Sequence, residues 1–346
     1  MSQQSLRRNF VTAADVARRA GVSRSAVSRT FTPGASVSDD ARVRVLRAAD
    51  HLGYRVNRLA QSLINARSNV IGLVGADLQQ PFHAQMLTTL SAAFLAEGYQ
   101  CMLLNAANAE HDIGALIARV LEYRVFAIVV MSGTPASRIV EECLQNGVPV
   151  ILVNKVLTNL AADTVVADHG AGGRLAATHL IAAGCRRLAV VSSAARTTSL
   201  VDRIDAFRAE VAANGLVTRV WQDGPTDYLT GRQAALALLA NGAFDGAFCV
   251  TDLLALGFLD AARSELGLRV PEDLSVIGFD DIPQAGWAAY RLTTFQQPVS
   301  DLTGAVMNVI RRRAQLAVAP PQLTVVPVKF VARSTVRGVA ATEPGS

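Results

Sequence analysis

Arg24, Ser25, Ser28 and Arg29 fall on one side of a short segment whose other side is Ala26, Val27 and Thr30. Guanidinium and hydroxyl groups repeated at helical spacing are the donors that meet phosphate oxygens and base edges in a major groove. Arg24 could donate a fork to guanine O6 and N7, or contact a phosphate; both roles stay open. A second polar set closes a series of apolar runs: Asp77, Asn105, Ser132, Asn154, Ser192, Asp252 and Asp280. Side chains at such positions suit hydrogen-bonded recognition of a small molecule. Groups for covalent or metal chemistry are not arranged to work. His51, His83, His111, His169 and His179 show no i,i+4 pair and no Cys/His zinc spacing. Neither G-x-S-x-G nor G-x-x-x-x-G-K-[ST] occurs. HGAGGRL at 169–175 lacks G-x-G-x-x-G, and no strand is expected immediately before it, so it reads as a small-residue helix N-terminus. The expectation is therefore no catalysis, no metal and no cofactor.

The elements that must hold the first set are legible around it. In VTAADVARRAGVSRSAVSRTF, Thr12 is an N-cap, and Val16, Ala17 and Ala20 make an apolar face. Gly21 can take the left-handed conformation that ends this helix, Val22 fills the angle, and Ser23 caps a second helix, Arg24–Phe31. This is a helix–turn–helix with its polar face outward. Charge supports the reading. Residues 1–67 hold twelve Arg and no Lys against four Asp, a net of +8, while the rest holds 21 basic and 24 acidic side chains, a net of −3. A basic head on a mildly acidic body is the footprint of polyanion binding, and DNA fits better than membrane because no amphipathic Lys/Arg helix with Trp or Phe opposite is present.

After Ala66 the rhythm changes. VIGLVGA, QCMLLNA, AIVVMS, PVILVN, LAVVSS, GAFCVTD and SVIGFDD are short apolar runs rich in β-branched residues. Helical stretches are expected at Gln85–Glu97, Ile113–Leu121, Ser137–Asn146, Gly172–Ala183, Leu200–Asn214, Gly231–Asn241 and Leu253–Leu266. Strands apolar throughout and spaced by single helices indicate parallel sheets covered on both faces. The predicted fold is a small all-α helix–turn–helix head plus an α/β core of two doubly wound parallel-sheet domains, periplasmic-binding-protein-like. No apolar run approaches the roughly 18 residues that span a bilayer, and no apolar segment follows Arg7 and Arg8, so neither membrane nor export is expected. Four scattered cysteines, none in C-x-x-C, read as buried small hydrophobes in a reducing cytoplasm.

VTAADVARRAGVSRSAVSRTF, LGYRVNRLAQSL with an immediate IGLV strand, GAGGRLAATHLIAAGCRRLAVV, PEDLSVIGFDDIP and LTTFQQP together resemble the lactose/galactose repressor family of bacterial transcription regulators, over residues from about 11 to 337. The resemblance implies a homodimer on double-stranded pseudo-palindromic operator DNA, with affinity altered by a small-molecule effector, a sugar, sugar acid or related metabolite. It implies a head at 1–56, a hinge helix and linker at 57–68, a two-lobed core at 69–337 and a tail at 338–346. The N-lobe would hold about 69–166 plus 292–324, and the C-lobe about 167–291 plus 325–337. Arg24 and Ser25 match the variable base-reading positions. Ser23, Ser28, Arg29 and Ser38, with Thr12, Thr32 and Ser36, match backbone or base-edge contacts, and Tyr54, Asn57 and Arg58 the approach to the hinge. Leu63 matches a minor-groove wedge with Ala60 close to the groove. The effector set would be Asp280 accepting hydroxyls, Arg203 donating, Thr251 and Asp252 as a pair, Asn154, Ser199 and Tyr228 as contacts, and Phe82 as an apolar wall. Asn154 is neutral where some relatives carry Asp, and Lys155 beside it leaves a sugar acid open. Tetramers in the family use a C-terminal extension that Gly338–Ser346 is too short to form. A transport-type solute-binding protein and a Rossmann-type oxidoreductase share parts of this pattern; the first has no use for residues 1–67, and the second lacks its glycine fingerprint.

Overall fold

The computed structural model describes residues 10–32, 34–56, 68–106, 113–132, 136–156, 162–240, 244–316 and 319–338. They form two compact units, residues 1–68 and 69–346.

In the first unit, α1 (Ala13–Ala20), α2 (Arg24–Thr30) and α3 (Asp39–Leu52) enclose Val16, Ala17, Ala20, Val27, Val45, Ala48 and Ala49. So small a core gives little burial energy, and the helix ends are correspondingly well capped. The Thr12 hydroxyl accepts from the Asp15 amide while the Asp15 carboxylate accepts from the Thr12 amide, a reciprocal box. Gly21 sits at φ 62°, the left-handed turn that ends α1. Ser23 and Ser38 accept from the amides of Ala26 and Ala41 at the starts of α2 and α3.

The second unit holds two parallel sheets. The larger has order β11-β5-β4-β3-β1-β2, from β1 (Val70–Gly75), β2 (Gln100–Asn105), β3 (Ala127–Val130), β4 (Val150–Val153), β5 (Asp163–Ala167) and β11 (Leu323–Val326). The smaller is β7-β6-β8-β9, from β6 (Leu188–Ser192), β7 (Thr218–Gln222), β8 (Gly246–Cys249) and β9 (Ser275–Ile277). Between them β10 (Thr294–Gln296) pairs antiparallel with β12 (Lys329–Val331) where the chain passes from lobe to lobe. The helices are α4 (Pro81–Ala96), α5 (Ile113–Leu121), α6 (Ser137–Gln145), α7 (His169–Ala182), α8 (Thr198–Ala213), α9 (Tyr228–Leu239), α10 (Asp252–Asp260) and α11 (Val299–Gln315). No helix among the described residues is long and apolar enough to cross a membrane.

The seven apolar runs all form strands; the expectation about HGAGGRL needs correction. Strand β5 ends one residue before Asp168, the N-cap of α7, so a strand does precede that motif immediately. It escapes the apolar rule because it opens on Asp163 and Thr164. Both are buried, and the carboxylate is consumed internally. Asp163 accepts from Arg312, from Arg313 Nε at 2.7 Å and from the Gln322 amide at 3.0 Å, tying α11 and the approach to β11 onto β5. Helix α11 and the short strands β7, β10 and β12 likewise lack the expected patterns; β7 lies at a sheet edge, half-exposed. The stretch expected as one helix to Leu266 is α10 followed by a π-turn, Ala261–Glu265.

Removing one member of a buried charge cluster leaves the others uncompensated, at a cost of about 3–5 kcal/mol. Asp163→Ala is therefore expected to lower the urea midpoint by a corresponding amount. A change below roughly 1 kcal/mol, the range of exposed pairs, would show that the two arginines find water instead.

Candidate functional site

On the head, Arg24, Ser25, Ser28 and Arg29 are all exposed on α2, as their spacing predicts, and α2 carries no carboxylate. The Ser25 hydroxyl shares a hydrogen bond with Ser23 at 2.8 Å. Ser36 and Ser38 are exposed beside it in sequence, Ser38 engaged as a cap. Two expected contacts are engaged locally within the head. The Thr32 hydroxyl donates to the Ser28 carbonyl at 2.9 Å, and Thr12 donates to Asp15 at 2.7 Å. Tyr54 is half-buried with its ring 5.7 Å from Phe31, and burial raises its phenol above the ordinary value. Its packing role is thus established by contact. Asn57, Arg58, Ala60 and Leu63, with the hinge, lie outside the described residues.

In the second unit the C-terminal ends of both parallel sheets open on one cleft of about 590 Å³. Asp77, Ser132 and Asn154 reach it from the larger sheet; Ser199, Arg203, Thr251 and Asp280 come from the other lobe, and Phe82 supplies apolar wall. The cleft floor is a continuous set of hydrogen bonds. Arg203, 3% exposed, donates to the Val250 carbonyl at 2.5 Å, to Asp280 Oδ1 at 3.4 Å and to His169 Nδ1 at 3.2–3.3 Å. Its guanidinium lies 3.6 Å from the centre of the Phe279 ring, so the cation is met on one face by π-density. Because His169 Nδ1 accepts, its proton is on Nε2. Burial first, and Arg203 second, hold the imidazole well below its ordinary pKa, hence neutral.

Asp280 has φ 121°, a left-handed excursion that turns its carboxylate from the end of β9 into the cleft. Burial raises its carboxyl, opposed by the Arg203 cation and by the amide of Gln297, which donates to Oδ1 at 2.7 Å. Gln297 in turn accepts from Asn154 Nδ2 at 2.8 Å, and Asn154 Oδ1 accepts from the Ala167 amide at 2.9 Å. One buried glutamine therefore connects the two lobes. Its only trace in the sequence is the pair of glutamines in FQQP. Asp280 Oδ2 has no protein donor among the described residues.

Two expected effector contacts are not in the cleft. Asp252 is fully buried, accepting from Thr294 Oγ1 at 2.6 Å and from the Ile282 amide at 2.9 Å, and burial with the Asp280 charge raises its carboxyl. It organises the turn after β9. Tyr228 donates instead to Asp260 at 2.7 Å, which pushes its phenol up to about 12. The first turn of α9 faces α10, so the ring points along that packing seam. Asn105, exposed, and Ser192, buried, do not line the cleft either.

Tyr228→Phe removes one of two hydroxyls on Asp260, since Tyr290 also donates there at 2.9 Å. The expected loss is about 1 kcal/mol of stability, seen as a lower Tm, with unchanged affinity for any molecule held in the cleft. A selective loss of that affinity would return Tyr228 to the site.

Residues 12–57 match the family model for bacterial regulatory proteins of the lacI family, and residues 177–336 the model for a periplasmic binding protein-like domain. The transcriptional regulator DegA of Bacillus subtilis is 30% identical over 327 residues, spanning 90% of this chain and 96% of its own length. A ribose operon repressor of Halalkalibacterium halodurans is 29% identical over 95% of this chain and 98% of its own. A crystal structure of the Lac repressor dimer bound to operator and an anti-inducer superposes with a TM-score of 0.86 at 24% identity, covering 95% of this chain and all of that one. With a capped helix–turn–helix whose polar face is open and a two-lobed core closing on a polar cleft, the chain belongs to the lacI family of DNA-binding transcription regulators.

Proposed function

We propose that this regulator is a repressor, that its paired heads bind a pseudo-palindromic operator, and that a small polyhydroxylated effector of the sugar class binds between the lobes and changes that affinity. The observation that carries the effector half is Asp280. A largely buried carboxylate, held on one oxygen by Arg203 and Gln297, keeps the other available to accept a hydroxyl. The name of the ribose operon repressor similar to this chain agrees with a sugar-class effector. Nothing in this reading calls for chemistry on the ligand, and the regulator works in the cytoplasm, where the DNA is.

The head's part is division of labour along α2. Arg24 and Ser25, at its start, read base edges; Ser28, Arg29, Ser23, Ser36 and Ser38 fix register on the backbone. Leu63 with Ala60 acts as a minor-groove wedge, and Asn57 and Arg58 lead into it. Residues 57–65 are too few for a stable isolated helix, so pairing and DNA supply the missing burial. An effector can shift the equilibrium only by preferring one arrangement of the lobes. A molecule hydrogen-bonded to Asp280 on one lobe and Asn154 on the other has that preference, because Gln297 already links these two residues and must yield or tighten. Couplings of about 1–3 kcal/mol are typical and give roughly 5–150-fold in DNA affinity.

Mobility shifts with the protein's own promoter DNA, titrated with a sugar panel, test the whole reading. Failure to retard that DNA more than random duplex would defeat it. Arg24→Ala is expected to weaken operator binding by about 1–3 kcal/mol and relax one base position in each half-site, if its fork reads guanine. Equal losses on operator and random DNA would make it a phosphate contact. Asp280→Ala should abolish the effector response while operator binding without effector persists, since truncation strands Arg203 and removes the hydroxyl acceptor. An unchanged response at the same effector concentration would move the site elsewhere.

A further inference from the structure

Past the end of β9, Asp280 at φ 121° and Asp281 at φ 56° both leave the extended conformation, although neither is glycine. Such a backbone persists only where its surroundings hold it. One hold comes from β10: the Asp280 amide donates to the Phe295 carbonyl at 2.7 Å. Asp252, the first residue of α10, grips the turn at two further points. Its amide donates to the Phe279 carbonyl at 2.7 Å, and its carboxylate Oδ2 accepts from the Ile282 amide at 2.9 Å. These two bonds bracket Asp280 and Asp281. The other carboxylate oxygen, Oδ1, accepts at 2.6 Å from the hydroxyl of Thr294 on β10, the strand that leads to Gln297. Gly278 makes room for that oxygen, since a Cβ there would come within 2.2 Å of it. Asp252 and Thr294 are both fully buried, and neither lines the cleft.

A carboxylate outside the cleft thus joins the turn that presents Asp280 to the strand that carries Gln297 toward it. Resting on the sugar-class reading of this cleft, we propose that Asp252 is a positioning residue of the effector site. It touches no ligand; it holds the turn 280–282 in the conformation that aims Asp280 at a hydroxyl, and through Thr294 it keeps Gln297 in register with that carboxylate. Without it the Ile282 amide is buried with no acceptor, and the turn is free to relax toward extended backbone and carry the Asp280 carboxylate away. The role depends on hydrogen-bond geometry rather than on charge. Asp252→Asn keeps both contacts, accepting from Ile282 through its oxygen and donating to the Thr294 hydroxyl, which accepts as well as donates. Thr294→Ser likewise keeps the hydroxyl, whereas Thr294→Val removes it at nearly constant volume.

The test is amide exchange over residues 278–284, read by mass spectrometry on the full-length protein, followed by calorimetry with D-ribose, D-glucose and D-galactose. Asp252→Ala and Thr294→Val are expected to speed exchange of the turn roughly tenfold, and to weaken by a similar factor the binding of whichever sugar the wild-type protein takes. Asp252→Asn and Thr294→Ser are expected to stay close to wild type in both measurements. Tyr228→Phe is the control for lost stability: it lowers Tm outside the cleft and should leave sugar affinity and the exchange of the turn unchanged. Should Asp252→Ala fail to fold, Thr294→Val against Thr294→Ser carries the comparison. Wild-type exchange and affinity in Thr294→Val overturn the inference. Faster exchange with unchanged affinity also overturns it, leaving Asp252 a purely structural residue and the sugar-class reading standing. If no sugar binds the wild-type protein, that reading and the effector role of Asp252 fail together, and the exchange rates then report only its hold on the turn.

Discussion

A guanidinium buried as deeply as that of Arg203 is tolerable only when acceptors surround it, and much of the core is arranged to meet that demand. Val250 contributes a carbonyl from the end of β8, Asp280 a carboxylate from the end of β9, and His169 a neutral ring nitrogen from the first turn of α7. Phe279 lies beneath the cation. For His169 to reach, α7 must pack on α8 more closely than side chains permit. Gly172 and Gly173 make this possible, since a Cβ on Gly173 would overlap the carbonyl oxygen of Arg203 and one on Gly172 the ring of Phe279. The glycines of HGAGGRL thus serve helix packing around an arginine rather than a phosphate cradle. Asp280 must leave the extended conformation to turn its carboxylate inward, and the hydrogen bond from Gln297 helps hold it there.

Gln297 gives this local arrangement its wider consequence. The segment carrying it leaves β10 for α11, one of the passages between lobes, and its amide joins Asp280 to Asn154. Any molecule that competes for either partner also acts on the link between lobes. Under the proposed function, the groups that recognise a ligand are thereby the same groups that Gln297 joins across the lobes. At the far end of that passage Asp163 anchors α11 through Arg312 and Arg313, so the segment is held by buried charge at one end and by Gln297 at the other.

The head follows a different economy. Among the described residues a small cluster of alanines and valines holds three helices, and side-chain caps complete what so small a core leaves unsatisfied. Because Ser23 caps α2, it also sets where that helix begins, and hence that Arg24, Ser25, Ser28 and Arg29 face outward.

The sequence by itself determined the elements whose signals are local. Helix α2 and its exposed face follow from one cap and a 3.6-residue period, and the strands with unbroken apolar runs follow from burial on both faces. The family resemblance then pointed to Asp280 and Arg203 as effector contacts; that they also pair with one another is a finding of the structure. Tertiary structure decided what depends on neighbours distant in sequence. Strand β5 was hidden because its Asp163 is satisfied by arginines some 150 residues later. Tyr228 and Asp252 have the chemistry of ligand contacts, yet Asp260 claims one, and Thr294 with the Ile282 amide claims the other. Gln297 carried almost no signal, although it bridges the lobes. A polar side chain's type says what it can bond to; only the folded chain says which partner arrives first, because buried donors and acceptors are filled by whatever packing places within about 3 Å.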